Sequence, residues 1–236
     1  MTKIALITGA NKGIGYEIAR LLAGQGVTTI VGARDEERGR AAAGRLGQPY
    51  VRLDVTDEES ASTAAKWIDA EYGRLDILVN NAGISGEMTD LRPSGVTAAR
   101  VRELYETNVF GVVTVTNAML PLLRRAESGR IVNMSSELGS LAMAIDPESP
   151  FKQFNHLPYN SSKAALNMIT ICYAKELMDT PIKVNAANPG YCATDLNGHT
   201  GYRTAEQGAA IAVRLATVGE DGPTGAYLED AGPLPW

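Results

Sequence analysis

The chain has 236 residues, of which 44% are hydrophobic and 21% charged, and its formal net charge is −5. This balance fits one soluble globule with a sizeable core. No Lys/Arg run forms a basic stripe, which argues against a nucleic-acid partner, and no stretch of about 18 apolar residues could span a bilayer. The two cysteines, Cys172 and Cys192, make neither a disulfide framework nor a metal-ligand spacing, so a reduced, cytoplasmic setting fits.

The chain opens directly on KIALIT, a strand-like run over 3–8 that leaves no room for a signal peptide. TGANKGIG follows, then an amphipathic stretch over 14–24. Gly9, Gly13 and Gly15 are spaced G-x3-G-x-G, a pattern that chance produces readily in a chain with 24 glycines. Its placement distinguishes it. Between a first strand and its helix, glycines let the backbone approach a pyrophosphate that sits on the helix N-terminus. Lys12 precedes Gly13 instead of following it, and no Ser/Thr comes next, so this is not a P-loop.

A second strand over 27–32 leads to Ala33 and Arg34, then a helix over 35–46. An acid after this strand would suit a ribose 2′-OH. Here the neutral Ala33 and the cations Arg34 and Lys12 suit a 2′-phosphate instead. The plain alternative for Arg34 is a solvated residue opening a charged helix. Strands over 50–54 and 75–80 flank a helix over 57–72; one long helix is expected over 98–125, and a strand over 129–134. The irregular, Pro-containing stretch 140–158 precedes a helix over 158–178. There Tyr159 and Lys163 stand four residues apart and share a face. A strand over 182–188, a helix over 204–217 and a strand over 225–229 complete the pattern.

Strands such as LDILVN lack alternation, which suits burial on both faces. With helices between them, they imply right-handed crossovers and an α/β fold. It would be a single-domain, doubly wound (Rossmann) parallel sheet of about seven strands with helices on both faces. No linker divides residues 1–236, so one domain is expected.

These motifs together resemble the short-chain dehydrogenase/reductase family over nearly the whole chain. TGANKGIG resembles its cofactor turn, implying contacts from Gly9, Asn11, Lys12, Gly13, Ile14 and Gly15. LDVTD resembles the adenine segment, with Asp54 and Val55. NNAG resembles the motif after the fourth strand, where Asn81 lines the cofactor. NPGYCATDL resembles the loop over the nicotinamide and implies roles for Pro189, Gly190, Cys192 and Thr194. Asn108, Ser136, Tyr159 and Lys163 match the four catalytic positions. ANKGIG, the AR after strand two, the extra residues before Tyr159 and the tail EDGPTGAYLED resemble the monomeric carbonyl reductases, which implies a monomer.

The resemblance implies reduction of a ketone or aldehyde, a small-molecule carbonyl substrate, with NADPH. Tyr159 would be the general acid, with Lys163 and the oxidised nicotinamide's charge lowering its pKa from about 10. Lys163 would also hold the nicotinamide ribose. Ser136 would polarise the carbonyl, with its neighbour Ser135 structural. Asn108 would bend the long helix and hold a water linking Lys163 to solvent; without the family pattern it reads as an outward polar residue. His156 and His199 lack a paired carboxylate in recognisable spacing and read as loop histidines. Phe151, Phe154 and Tyr191, with Ser136, are the expected substrate contacts; the insertion's apolar groups either wall the pocket or seal the segment onto the following helix. Oxidation of an alcohol, or a non-catalytic NADP sensor on the same fold, are the alternatives.

Overall fold

In the computed structural model, which describes residues 2–86 and 92–236, the aliphatic runs become the strands of one sheet. They are β1 (Ile4–Thr8), β2 (Thr28–Ala33), β3 (Tyr50–Arg52), β4 (Ile77–Asn80), β5 (Arg130–Met134), β6 (Lys183–Ala187), β7 (Tyr227–Glu229) and β8 (Gly232–Pro233). Their order is β3-β2-β1-β4-β5-β6-β7-β8. Every neighbouring pair is parallel until β8, which turns back against β7. Every expected strand is present, and the short antiparallel β8 is added.

The helices are α1 (Gly13–Gly24), α2 (Glu36–Leu46), α3 (Glu58–Tyr72), α4 (Ala98–Tyr105), α5 (Gly111–Leu123), α6 (Leu141–Ile145), α7 (Leu157–Glu176) and α8 (Ala205–Ala216). Alternate residues of a strand point to opposite faces. Leu6, Ile30, Leu78 and Ile131 therefore pack with Ile68 of α3, Met119 of α5 and Ala174 of α7. Ala5, Ile7, Val31 and Val79 pack on the other side with Ile18 of α1, Ala42 of α2 and Ile211 of α8. All five residues of β1 are buried, because both faces are covered. Each large aliphatic side chain so buried contributes about 1.5–3 kcal/mol.

Local chemistry agrees with these boundaries. Asp35 and Asp57 cap α2 and α3 by accepting from the N–H groups of Arg38 and Glu59. Gly47 and Gly73, at φ 63 and 71, end the same helices in the left-handed region. Arg130 lies 1% exposed at the start of β5. Its guanidinium is satisfied by donating to the carbonyls of Gly129, Pro181, Val218 and Gly219.

Two expectations change. The long helix over 98–125 divides into α4, a π-helical turn (Glu106–Phe110) and α5. The wider turn brings Asn108 inward, where it is 1% exposed, so the outward reading of this residue is wrong. The irregular stretch before Tyr159 contains α6. Ser140 caps α6 by accepting from Met143 N–H at 3.1 Å and donates to the Pro235 carbonyl at 2.7 Å. The Trp236 carbonyl accepts from Ala142 N–H at 3.0 Å. The chain's last residues therefore hold the start of the insertion.

Candidate active site

β1, β2 and β3 extend the sheet one way and β4, β5 and β6 the other, so the strand order reverses between β1 and β4. Ligands of open α/β sheets bind at the C-terminal strand ends beside such a reversal. A cavity of about 750 Å³ opens there. One end meets the glycine turn, Arg34, Asp54 and Val55, and the other reaches Tyr159, Lys163, Pro189 and Thr194.

The turn itself is assembled by hydrogen bonds between β1 and β4. Thr8 Oγ1 accepts from the N–H groups of Asn81 and Ala82, each at 2.9 Å. Asn81 Nδ2 donates to the carbonyls of Thr8 at 2.9 Å and Gly9 at 3.3 Å. Asn81 thus lines the cavity and also holds the turn's shape. Gly9 and Gly13, at φ 64 and 57, occupy the left-handed region. A Cβ at Gly15 would stand 2.3 Å from Asn81 Nδ2 and 2.7 Å from the Gly9 carbonyl. No side chain caps the N-terminus of α1. Its first N–H groups face the cavity that Asn11, Gly13 and Ile14 line. This is a cradle suited to the pyrophosphate of a dinucleotide.

Arg34 is exposed and lines the cavity beside Ala33, Asp35 and Arg38. Lys12 also lines it, and its Nζ meets Asp195 Oδ2 at 2.6 Å. The pair joins the glycine turn to the segment after β6. His199 Nε2 reaches Asp195 Oδ1 at 2.9 Å, so this histidine does have a paired carboxylate, four residues before it. The Lys12 and His199 partners hold the Asp195 carboxyl below its usual pKa range. The loop's partner for Lys12 was not foreseen, because nothing in the spacing of 12 and 195 signals contact.

At the other end, α7 presents Tyr159 and Lys163 together, with Lys163 Nζ 5.6 Å from the Tyr159 ring centroid. Lys163 is 6% exposed, and its Nζ donates to the Met134 carbonyl at 2.8 Å. Desolvation lowers its pKa to about 8. Tyr159 moves the other way. Desolvation raises its hydroxyl to about 12, with the Ser136 hydroxyl pulling down and the nearby Glu137 pushing up. In the protein alone, burial therefore outweighs the expected lowering by Lys163.

Ser136 and Ser135 make different contacts, and of the two it is Ser135 that lines the cavity. Ser136 lies beside the Tyr159 hydroxyl and caps the turn Glu137–Gly139 by accepting from Leu138 N–H at 3.3 Å. Ser135 Oγ instead donates to Asn167 Oδ1 at 2.5 Å within the core, a structural contact. Asn108 Oδ1 accepts from Ile84 N–H at 2.9 Å, while its Nδ2 donates to the Ile84 carbonyl and to Ser162 Oγ. Gly83 lies between Asn108 and Lys163: a Cβ there would be 3.3 Å from Asn108 Oδ1 and 3.7 Å from Lys163 Nζ. His156, read as a loop residue, is buried at the N-cap of α7 with its ring stacked on Tyr159 at 6.2 Å.

Asn108 and Ser136 adjoin the cavity without lining it, and Gly190, Tyr191, Cys192, Phe151 and Phe154 are likewise outside its wall. Gly190, at φ 70, is packed on Arg203, and Cys192 Sγ contacts the Pro189 carbonyl at 3.3 Å. Burial pushes the Cys192 thiol up, away from reactivity. The Tyr191 hydroxyl bonds to Thr200, and its ring packs 6.1 Å from that of Tyr202. Phe151 and Phe154 pack on each other at 6.3 Å, with Phe154 54% exposed. Leu141 and Ile145 are 69% and 84% exposed, so these insertion residues are not sealed onto α7.

Comparison with known proteins bears on this arrangement. A family model described as short chain dehydrogenase matches residues 3–204. "Short-chain dehydrogenase anuI" of Penicillium roqueforti is 40% identical over 228 residues, covering 92% of this chain and 89% of the relative. Salutaridine reductase of Papaver bracteatum is 32% identical, covering 96% of this chain and 94% of the relative. Among solved structures, NADPH-bound carbonyl reductase from chicken fatty liver superposes with a TM-score of 0.85 at 28% identity. That match covers 100% of this chain and 99% of the other. By family model, sequence and fold together, the chain belongs to the short-chain dehydrogenase/reductase family of oxidoreductases.

Proposed function

We propose that the chain reduces a ketone or aldehyde to an alcohol with NADPH, and that residues 1–236 act as one cofactor-binding unit. The observation that carries this reading is the pairing of Tyr159 and Lys163 on one turn of α7, at the far end of the cavity from the glycine cradle. The uncapped N-terminus of α1 and the close approach at Gly15 fit a dinucleotide pyrophosphate. Arg34 and Lys12 supply positive charge for a 2′-phosphate, and the NADPH-bound state of the chicken carbonyl reductase supports that choice. When bound, the cofactor's nicotinamide would supply hydride to the carbonyl carbon.

The chain's own residues manage the charge that develops on the carbonyl oxygen. The Ser136 hydroxyl donates a hydrogen bond to it. The Tyr159 hydroxyl then transfers its proton to the same oxygen, and the Lys163 ammonium offsets the tyrosinate left behind. Burial raises Tyr159 to about 12, which keeps its hydroxyl in the proton-bearing form that reduction requires. Asn108 holds the Ile84 backbone, and Gly83 keeps the space beside Lys163 free of a side chain, which suits a water path for reprotonation. Asp54 and Val55 would flank the adenine and Thr194 the nicotinamide. Ser136, Phe151, Phe154 and Tyr191 would meet the substrate.

A monomer working in the cytoplasm is the form we infer. The insertion is tied to the first turn of α7, where Asn160 Nδ2 donates to the Phe154 carbonyl at 2.9 Å. Gel filtration at working concentrations tests this. Activity is tested by a panel of bulky and small carbonyl compounds, followed by NADPH oxidation. Tyr159→Phe should retain NADPH binding and lose about 10²–10⁴-fold in turnover. A variant with wild-type turnover on every active compound would remove Tyr159 as the acid. NADPH binding with no turnover on any carbonyl would favour a sensor.

A further inference from the structure

We propose that Glu137 is a positioning residue for this proton transfer: the charge on its buried side chain governs how readily Tyr159 releases a proton. The inference rests on the reading of Tyr159 as proton donor. Glu137 follows Ser136 directly and opens the turn Glu137–Gly139. That turn is pressed against α7 at the catalytic pair. A Cβ at Gly139 would come within 2.7 Å of Lys163 Cβ and 3.0 Å of Ala164 N.

The fold alone does not explain a carboxylate here. Glu137 is 8% exposed, and its Oε2 has no hydrogen-bond partner among the described residues. An unpartnered buried carboxylate oxygen is costly, and an apolar side chain of similar size would avoid the cost. The Tyr227 hydroxyl, 2% exposed, faces Ser135 and the same carboxylate.

The groups facing Glu137 come from several elements. Tyr227 and Glu229 belong to β7, and Asn188 follows β6; Cys192 and Arg203 belong to the segment between β6 and α8; Tyr159 belongs to α7. The nearest cation, Arg203, pairs with Asp230 and offsets only part of the Glu137 charge. Asn188 Nδ2 donates to Glu229 Oε2 at 3.1 Å. Burial pushes the Glu137 carboxyl up; its own backbone N–H and the Asn188 amide pull it down, and Glu229 adds to the rise. Its negative charge in turn raises both Tyr159 and Tyr227. Once ionised, Glu137 opposes tyrosinate and keeps Tyr159 in its donor form.

Glu137→Gln tests this, because it removes the charge at nearly constant shape. Tyrosinate formation at Tyr159 is read from ultraviolet difference absorbance, as the difference between the protein and its Tyr159→Phe variant with NADP⁺ bound. The expected result is a shift of this titration, and of the alkaline limb of the pH–rate profile for reduction, to lower pH. The shift should be about half a unit or more, about threefold in proton affinity. If the variant does not fold, Glu137→Met carries the same test. Superimposable titrations, with activity unchanged or scaled equally at all pH values, would overturn the proposal. Full activity in Tyr159→Phe would instead overturn the reading on which it rests.

Discussion

The two sides of the sheet's C-terminal edge are built differently. On the cofactor side, from β1 to β4, the backbone packs closely at one point: Gly15 lies against Asn81, and Thr8 and Asn81 join the two strand ends by hydrogen bonds. On the side of the insertion, Leu141, Ile145 and Phe154 are largely exposed. Their anchors are a few bonds, from Ser140 and Ala142 to the chain's last residues and from Asn160 to Phe154. A close-packed backbone of this kind suits a ligand of constant shape. The second side leaves apolar groups free to be covered, which suits a variable partner. Tolerance to substitution should therefore differ sharply between them.

The largest contrast is expected at Gly15. Gly15→Ala places a methyl 2.3 Å from Asn81 Nδ2 and 2.7 Å from the Gly9 carbonyl. It should cost about 3 kcal/mol of stability by overpacking and abolish dinucleotide affinity, as read by urea unfolding and by titration with NADPH. A variant that binds NADPH as well as the wild type would break the contrast on its rigid side.

Lys163 comes next, because it is buried beside the same cleft. Its pKa of about 8 lies below the ordinary value of 10.5. Between these values the unfolded chain carries a proton that the folded chain lacks, so this group makes stability rise with pH in that window. Below it, the folded state bears the cost of a buried ammonium. Lys163→Met should flatten the rise and gain about 2 kcal/mol at neutral pH in the unliganded protein, after losing the bond to the Met134 carbonyl. Equal stability with an unchanged pH slope would show that the ammonium is well solvated.

A smaller, ligand-specific effect is expected at the rim. Arg34→Ala should weaken NADPH by about 1–2 kcal/mol, a moderate value because Arg34 is exposed, and leave NADH nearly unchanged. Equal losses for the two cofactors would remove the 2′-phosphate assignment. The smallest effect should come from the insertion. Phe151→Ala and Phe154→Ala should each cost under about 1 kcal/mol, since Phe154 is 54% exposed and the two rings mainly cover each other. Their value lies in substrate ranking. A changed order of bulky and small carbonyl compounds, with NADPH affinity intact, would sharpen the contrast by making this the adaptable wall. An unchanged order would leave the insertion without a part in substrate choice.

The sheet, its helices and the linear motifs were legible in the residues alone. Uninterrupted aliphatic runs specify strands buried on both faces, and glycines at fixed offsets specify where backbone must approach backbone. What tertiary structure decided was everything that depends on two distant segments meeting. The π-helical turn at Asn108 responds to packing against the Ile84 backbone and Ser162, which helical periodicity over 98–125 does not encode. The Lys12–Asp195 pair, the Asp195–His199 contact and the tail that holds α6 arise from loop placement, not from spacing. The direction of the Tyr159 shift was decided the same way. A sequence reports that a phenol and an ammonium share a turn, but the surrounding burial decides which protonation state each favours.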